Sequence, residues 1–253
     1  MLEAASAAVR SACLSRQVGA SAYSKSGQLL GVGCNDVPKH RGGLYVEGDV
    51  DNRCFNWREN ECHNDKQKKL LAEKIAGAIG GVTEERTKII SDILSSGVGN
   101  LIEFSRSVHA EMEAIVSVSR SGSGSLLDGI LYTTTFPCHN CARHIVAAGI
   151  DKVIYVEPYS KSLALELHSD SITLSEIDTK RVRFLQYQGF APRTTIRLFS
   201  SSGKERKLDG KYVEKNKLDA IPIFPSPLDS YTTSERLIIQ ELEPEAEGDG
   251  KAG

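Results

Sequence analysis

No apolar run in the 253 residues approaches the ~18 needed to cross a bilayer, so nothing in the chain reads as a membrane span. Glu3 and Arg10 interrupt MLEAASAAVRSACLSRQVGA where a secretory leader would need its apolar segment; the expectation is an intracellular, cytoplasmic protein. A strong excess of either charge is also missing. The net charge of −2 gives no sign of wholesale polyanion binding. The basic run 204–217 interleaves Glu205, Asp209 and Glu214, which fits a solvated face better than a nucleic-acid contact. There is no G-x-x-x-x-G-K-[ST] phosphate loop and no internal repeat.

Six cysteines are present, and in a reducing compartment these suggest thiols or metal ligands before disulfides. Residues 2–16 carry Leu2, Ala5, Val9 and Cys13 on one stripe, which predicts a helix. The stretch VGASAYSKSGQLLGVGCND reads as a hairpin turning at Ser26-Gly27. Residues 36–65 have little periodicity and many turn residues, so a long loop that is functional or tied down is expected. Helices are expected over about 66–79, 83–95, 109–119, 138–149 and 160–170. Strands are expected over 129–137, 151–158 and 182–188. The alternation of strand and helix between 130 and 187 predicts an α/β fold with crossover connections. The expected organisation is one domain over 1–200, an extension over 201–240 and a disordered tail over 241–253.

Two short stretches carry the chemistry. In TFPCHNCARHI, Pro137 precedes Cys138 directly after a predicted strand, which places Cys138 and Cys141 at a helix N-terminus, three residues apart. The unpaired N–H groups and dipole there favour thiolates, and so a metal half-site. In SVHAEMEAIV, His109 also opens a helix and supplies a third ligand. Three protein ligands on zinc leave the fourth tetrahedral position for a water, whose pKa the ion lowers towards ~7. Glu111 is then the candidate proton shuttle. Residues two apart do not share a face of a regular helix, so His109 and Glu111 can meet at one point only at the helix's open end. Against this stand a closed structural zinc site with a fourth protein ligand and a redox pair. The first leaves Glu111 unexplained; the second leaves both His109 and Glu111 idle.

The order H-x-E, then P-C-x-x-C, is that of zinc deaminases. The chain resembles the deoxycytidylate deaminases of the cytidine deaminase superfamily at 15–38, at VHAEMEAI (108–115) and at TTTFPCHNCARHIVAAGIDKVIYVEP (133–158). PKHRGGLYVEGD (38–49), EPYSKSLALELHSD (157–170) and APRTTIRLFS (191–200) resemble the deaminase domain of bacterial anti-phage dCTP deaminases. The resemblance implies a three-layer α/β/α fold with a mixed five-stranded sheet. It implies zinc-dependent hydrolysis of dCMP or dCTP to the uracil nucleotide plus ammonia, in a homo-oligomer. It further implies a sugar contact at Asn35 and a base-edge contact from the backbone of Ala110.

Other signals are weaker. Asn35 and Asp36 also fit an ordinary turn before Pro38. Lys161 and Ser162, opening the predicted helix after Pro158, suit either a phosphate or plain capping, and Lys39 is a further phosphate candidate. Cys54, Cys62 and His63, with His40, suggest a second, structural zinc tying the long loop, although C-x₇-C-H is not a strong zinc spacing. Trp57 and Phe55 in that loop suit a pocket cover or an oligomer interface. A polynucleotide base deaminase and a catalytically silent zinc-bound module are the alternatives to an enzyme of free nucleotides.

Overall fold

The structure is a computed structural model that describes residues 1–80, 83–192, 194, 207–208, 211–212, 235–236 and 238–239. The chain divides into two compact units, Met1–Arg193 and Thr194–Gly253. In the second, Lys207–Leu208 and Lys211–Tyr212 pair as a short antiparallel hairpin. Apart from 235–236 and 238–239, which are helical, the rest of the 201–240 extension and the 241–253 tail lie outside the described residues.

The first unit is built on one sheet. Its strands are β1 (Gly19–Tyr23), β2 (Leu29–Cys34), β3 (Ile130–Thr135), β4 (Lys152–Glu157), β5 (Ile172–Thr173) and β6 (Val182–Gln186), in the order β2-β1-β3-β4-β6-β5. The predicted hairpin is β1–β2, with Gly27 taking φ 84 in its turn. β1 runs antiparallel to β3, whereas β3, β4, β6 and β5 are mutually parallel. The sheet is mixed, as expected. It has six strands rather than five because the two-residue β5 adds to the outer side of β6.

The helices are α1 (Leu2–Ala8), α2 (His63–Ile79), α3 (Thr83–Ser95), α4 (Ala110–Ser121), α5 (His139–Ala147) and α6 (Ala164–Leu167). Small residues decide where α1 and α4 lie. A Cβ on Gly19 would come within 2.0 Å of the α1 backbone, and one on Gly33 within 2.3 Å of the α4 backbone. Gly19 pairs with Cys34 and so shares its face, while Gly33, the next residue along β2, points to the opposite one. Thus α1 and α4 cover opposite faces, and α5 packs beside α4. Between the layers lies a core of Leu131, Ile145, Val153, Ile172 and Phe184. Phe136 meets Tyr155 and Phe184 edge-on there, at 4.9 and 5.4 Å between ring centres.

Two predicted helices are shorter than their periodicity suggests. The first ends at Ala8 because the following backbone is claimed by the end of β2. Ser11 donates its hydroxyl to the Asn35 carbonyl at 2.6 Å, and Ala12 donates its N–H to Asp36 Oδ2 at 3.1 Å. The 160–170 segment is helical only over Ala164–Leu167. Ser162 instead donates its hydroxyl to the Pro137 carbonyl at 2.7 Å, fastening the segment to the start of α5.

Candidate metal centre and active site

His109 and Cys138 are both helix caps. His109 precedes α4 with extended backbone (φ −73, ψ 155), and Cys138 precedes α5 in the same way (φ −70, ψ 165). Cys138 Sγ accepts the N–H of Cys141 at 3.5 Å, using a donor left open at the helix start. The side-by-side packing of α4 and α5 brings the two mouths together. His109 Nδ1 lies 3.2 Å from Cys138 Sγ and 3.4 Å from Cys141 Sγ. The donor atoms of the three residues all fall within 4.8 Å of one another. The extended cap also resolves the spacing puzzle of H-x-E. His109 stands outside the helix, so Glu111, inside its first turn, can face the same point: its Oε2 is 3.5 Å from Cys141 Sγ.

The electrostatics suit a cation. Hydrogen bonding from the Cys141 thiol, then from His109, pulls the Cys138 thiol down to about 4. The same thiolate, accepting from the imidazole, pushes His109 up to about 9. Cys141 is pushed upward by its hydrogen bond to Cys138 and by burial, and Glu111 upward by burial. The Cys138 thiolate is thus paired with a His109 imidazolium beside the second thiol, at two positive helix ends, and a bound cation would take the place of the imidazolium proton. Soft sulfur with imidazole in a compact trio is a zinc donor set, and these residues fit one zinc ion.

Two of the three donors, His109 and Cys138, line a pocket of about 150 Å³ that Glu111, Ala110 and Asn35 also line, with Cys141 buried behind them. Asn35 is buried at 6% exposure and spans its own wall: its amide donates to the Arg16 carbonyl at 2.8 Å and accepts the Val18 N–H at 2.7 Å. The pocket does not include Lys39, Lys161 or Ser162 in its lining. Lys39 pairs with Asp49 at 2.7 Å, and Lys161 is exposed. The lining residues not expected from the sequence are led by Arg16, the only lysine or arginine among the described residues on the wall. Tyr159, Ser105, Ser107 and Asn64 join it. Arg16 ends the run that the sequence reads as a helix; only its fastening to Asn35, nineteen positions later, places it in the wall.

The second zinc site expected from His40, Cys54, Cys62 and His63 is not assembled. Among the described residues the only trio of metal donors is His109, Cys138 and Cys141. The loop's candidates have other neighbours: His63 stacks on Trp57 with ring centres 4.7 Å apart, Cys54 Sγ lies 4.0 Å from the Arg106 guanidinium, and Cys62 Sγ lies 4.0 Å from the Ser15 hydroxyl. Side-chain packing, rather than an ion, ties this loop.

A family model described as the cytidine and deoxycytidylate deaminase zinc-binding region matches residues 1–157, a span that contains all three donors. The chain belongs to this family. It is similar to the deoxycytidylate deaminase of Enterobacteria phage T2, with 42% identity over 55 residues, covering 22% of this chain and 29% of the phage protein. It is also similar to ComE operon protein 2 of Bacillus subtilis, with 32% identity over 119 residues, covering 45% of this chain and 57% of that protein. The match thus spans less than a third of the phage relative and little over half of the Bacillus one. Among solved structures, the dCMP deaminase of cyanophage S-TIM5 in its apo form aligns with 73% of this chain and 90% of its own, at 20% identity and a TM-score of 0.40. No helix among the described residues is long and apolar enough to cross a membrane.

Proposed function

We propose that the protein hydrolyses the amino group from free deoxycytidine nucleotides, releasing ammonia and the uracil nucleotide. The observation that carries this reading is the donor count. Among the described residues no fourth histidine, cysteine or carboxylate joins His109, Cys138 and Cys141, and His109 and Cys138 line a pocket that Glu111 also lines. A closed structural site would need a fourth protein ligand.

Bound zinc supplies the acidified water that such a hydrolysis consumes. The chain's own residues do the rest. Glu111, buried at 4% exposure, accepts a proton from that water at its carboxylate. It passes that proton to the ring nitrogen, then moves the water's second proton from the hydroxyl left on the ring carbon to the amino group, so that the C–N bond breaks, the carbonyl forms and ammonia departs. Ala110, fully buried at the first position of α4, offers backbone to the base edge, and Asn35 holds the wall beside the sugar. Arg16 is placed to meet phosphate, which supports a nucleotide over a free base. The likeness of 38–49 and 157–170 to anti-phage dCTP deaminases supports dCTP among the substrates and nucleotide depletion during infection as the biological use.

The test is an assay of the zinc-loaded protein with CMP, dCMP, dCTP and a single-stranded oligonucleotide, following ammonia and uracil product. Glu111→Gln is expected to lower turnover by ~10²–10⁴-fold with zinc still at one per chain. Zinc lost along with activity, or turnover that persists, overturns the role of Glu111. Turnover confined to the oligonucleotide overturns the free-nucleotide reading.

A further inference from the structure

The long loop ends against the pocket through one arginine. Arg106 sits between Ser105 and Ser107, which both line the pocket. Its own side chain points the other way, into the loop. The guanidinium lies 3.6 Å from the centre of the Trp57 ring, donates to the Asn52 carbonyl at 3.1 Å and lies 4.0 Å from Cys54 Sγ. Trp57 is further flanked by Arg58 at 4.1 Å and His63 at 4.7 Å. A second fastening joins the same loop to another stretch of the lining: Arg53 is paired with Asp51 at 2.6 Å and reaches Asp36 at 3.7 Å, and Asp36 in turn accepts the Ala12 N–H. Cys13, the next residue, lines the pocket.

We propose that residues 51–57 form a brace behind the pocket lining, with Arg106 and Trp57 as positioning residues that set substrate affinity rather than metal binding. This deepens the deaminase reading and rests on it for the identity of the substrate. The division of labour follows from how each part is held. Ser105 and Ser107 are tied to each other by the Ser107 N–H on the Ser105 hydroxyl at 3.2 Å, and the Arg106 guanidinium between them, a planar, delocalised cation over an indole face, anchors the pair to the loop. His109 does not depend on that anchor: the neighbouring Val108 N–H is held by the Asp36 carbonyl at 2.9 Å, and His109 itself caps α4. Loosening the Arg106 anchor therefore moves the lining at Ser105 and Ser107, while the Asp36–Val108 hydrogen bond keeps the metal trio in place.

Trp57 is the only tryptophan in the chain, so its emission reports on this stack alone. The experiment compares the zinc-loaded wild type with Arg106→Ala, Arg106→Lys and Trp57→Phe. For whichever cytosine substrate the wild type turns over, both Arg106 variants are expected to raise KM about fivefold to tenfold. In both, kcat stays within about twofold of the wild type and zinc remains at one per chain. Lysine fails as alanine does because it keeps the charge but loses the flat face. Trp57→Phe keeps an aromatic face and shows the smaller rise in KM. The Trp57 emission shifts to the red in Arg106→Ala even without substrate. Unchanged KM in both Arg106 variants overturns the proposal, as does a kcat that falls in step with zinc content at constant KM, which marks a merely structural role. If the wild type deaminates only the oligonucleotide, the free-nucleotide reading fails while the KM and emission comparisons still judge the brace.

Discussion

Arg16 is held at two levels. Its backbone carbonyl is fixed by Asn35, while its guanidinium is paired with Glu157 at 2.7 Å with both side chains about half exposed, at 46% and 59%. An ion pair this open to water is worth only ~0–1 kcal/mol, so Glu157 yields the guanidinium readily to a better anion. Arg16→Ala is expected to raise KM for dCMP about tenfold, the loss of one charge-assisted hydrogen bond, and to leave deoxycytidine, which lacks phosphate, unaffected. Parallel steady-state kinetics with the two substrates check this. An equal loss on both would assign Arg16 to the sugar or base. At this same scale the sequence was most legible for the metal donors. His109, Cys138 and Cys141 are recognisable because ligand spacing at a helix mouth is a local property. It was least legible for Arg16 and Arg106, whose neighbours come from segments far away in the chain.

Among the elements, the β2–α4 contact does the most to place the site. Gly33 lies against the Ala110 carbonyl and the Ala114 N–H, so α4 approaches the sheet as closely as backbone allows. Gly33→Ala adds a methyl group where 2.3 Å separates it from backbone that cannot rotate away. Overpacking of this kind costs ~1–3 kcal/mol. Here it pushes outward on the first turn of α4, the turn that carries Glu111. The expected outcome is a lower denaturation midpoint with zinc affinity reduced as well, read by denaturant melts and zinc titration. The hairpin, α4, α5 and the parallel strands were each visible as periodic segments bounded by turn residues. The ends of α1 and of the 160–170 helix were not, because Ser11, Asp36 and Ser162 compete for the backbone through hydrogen bonds to distant residues.

Across the whole molecule, metal binding and stability are linked. The trio exists only when α4 and α5 stand side by side, so zinc binds the folded chain in preference to the unfolded one. With free zinc at a hundredfold its dissociation constant, this linkage contributes ~2.7 kcal/mol. Chelation is expected to lower the melting temperature and added zinc to restore it, in the wild type and in Glu111→Gln alike, as followed by calorimetry. A melting temperature indifferent to chelator would detach the trio from the metal. By itself the sequence determined the donor set and the α/β character, since each is written in spacings of a few residues: H-x-E, C-x-x-C and the periods of helix and strand. Only the tertiary structure decided that these donors meet, that Arg16 belongs to the pocket wall, and that the cysteines and histidines of the long loop do not form a second metal centre. Those outcomes depend on packing between segments remote in sequence, where the geometry of a neighbour, and not the identity of the residue, selects the partner.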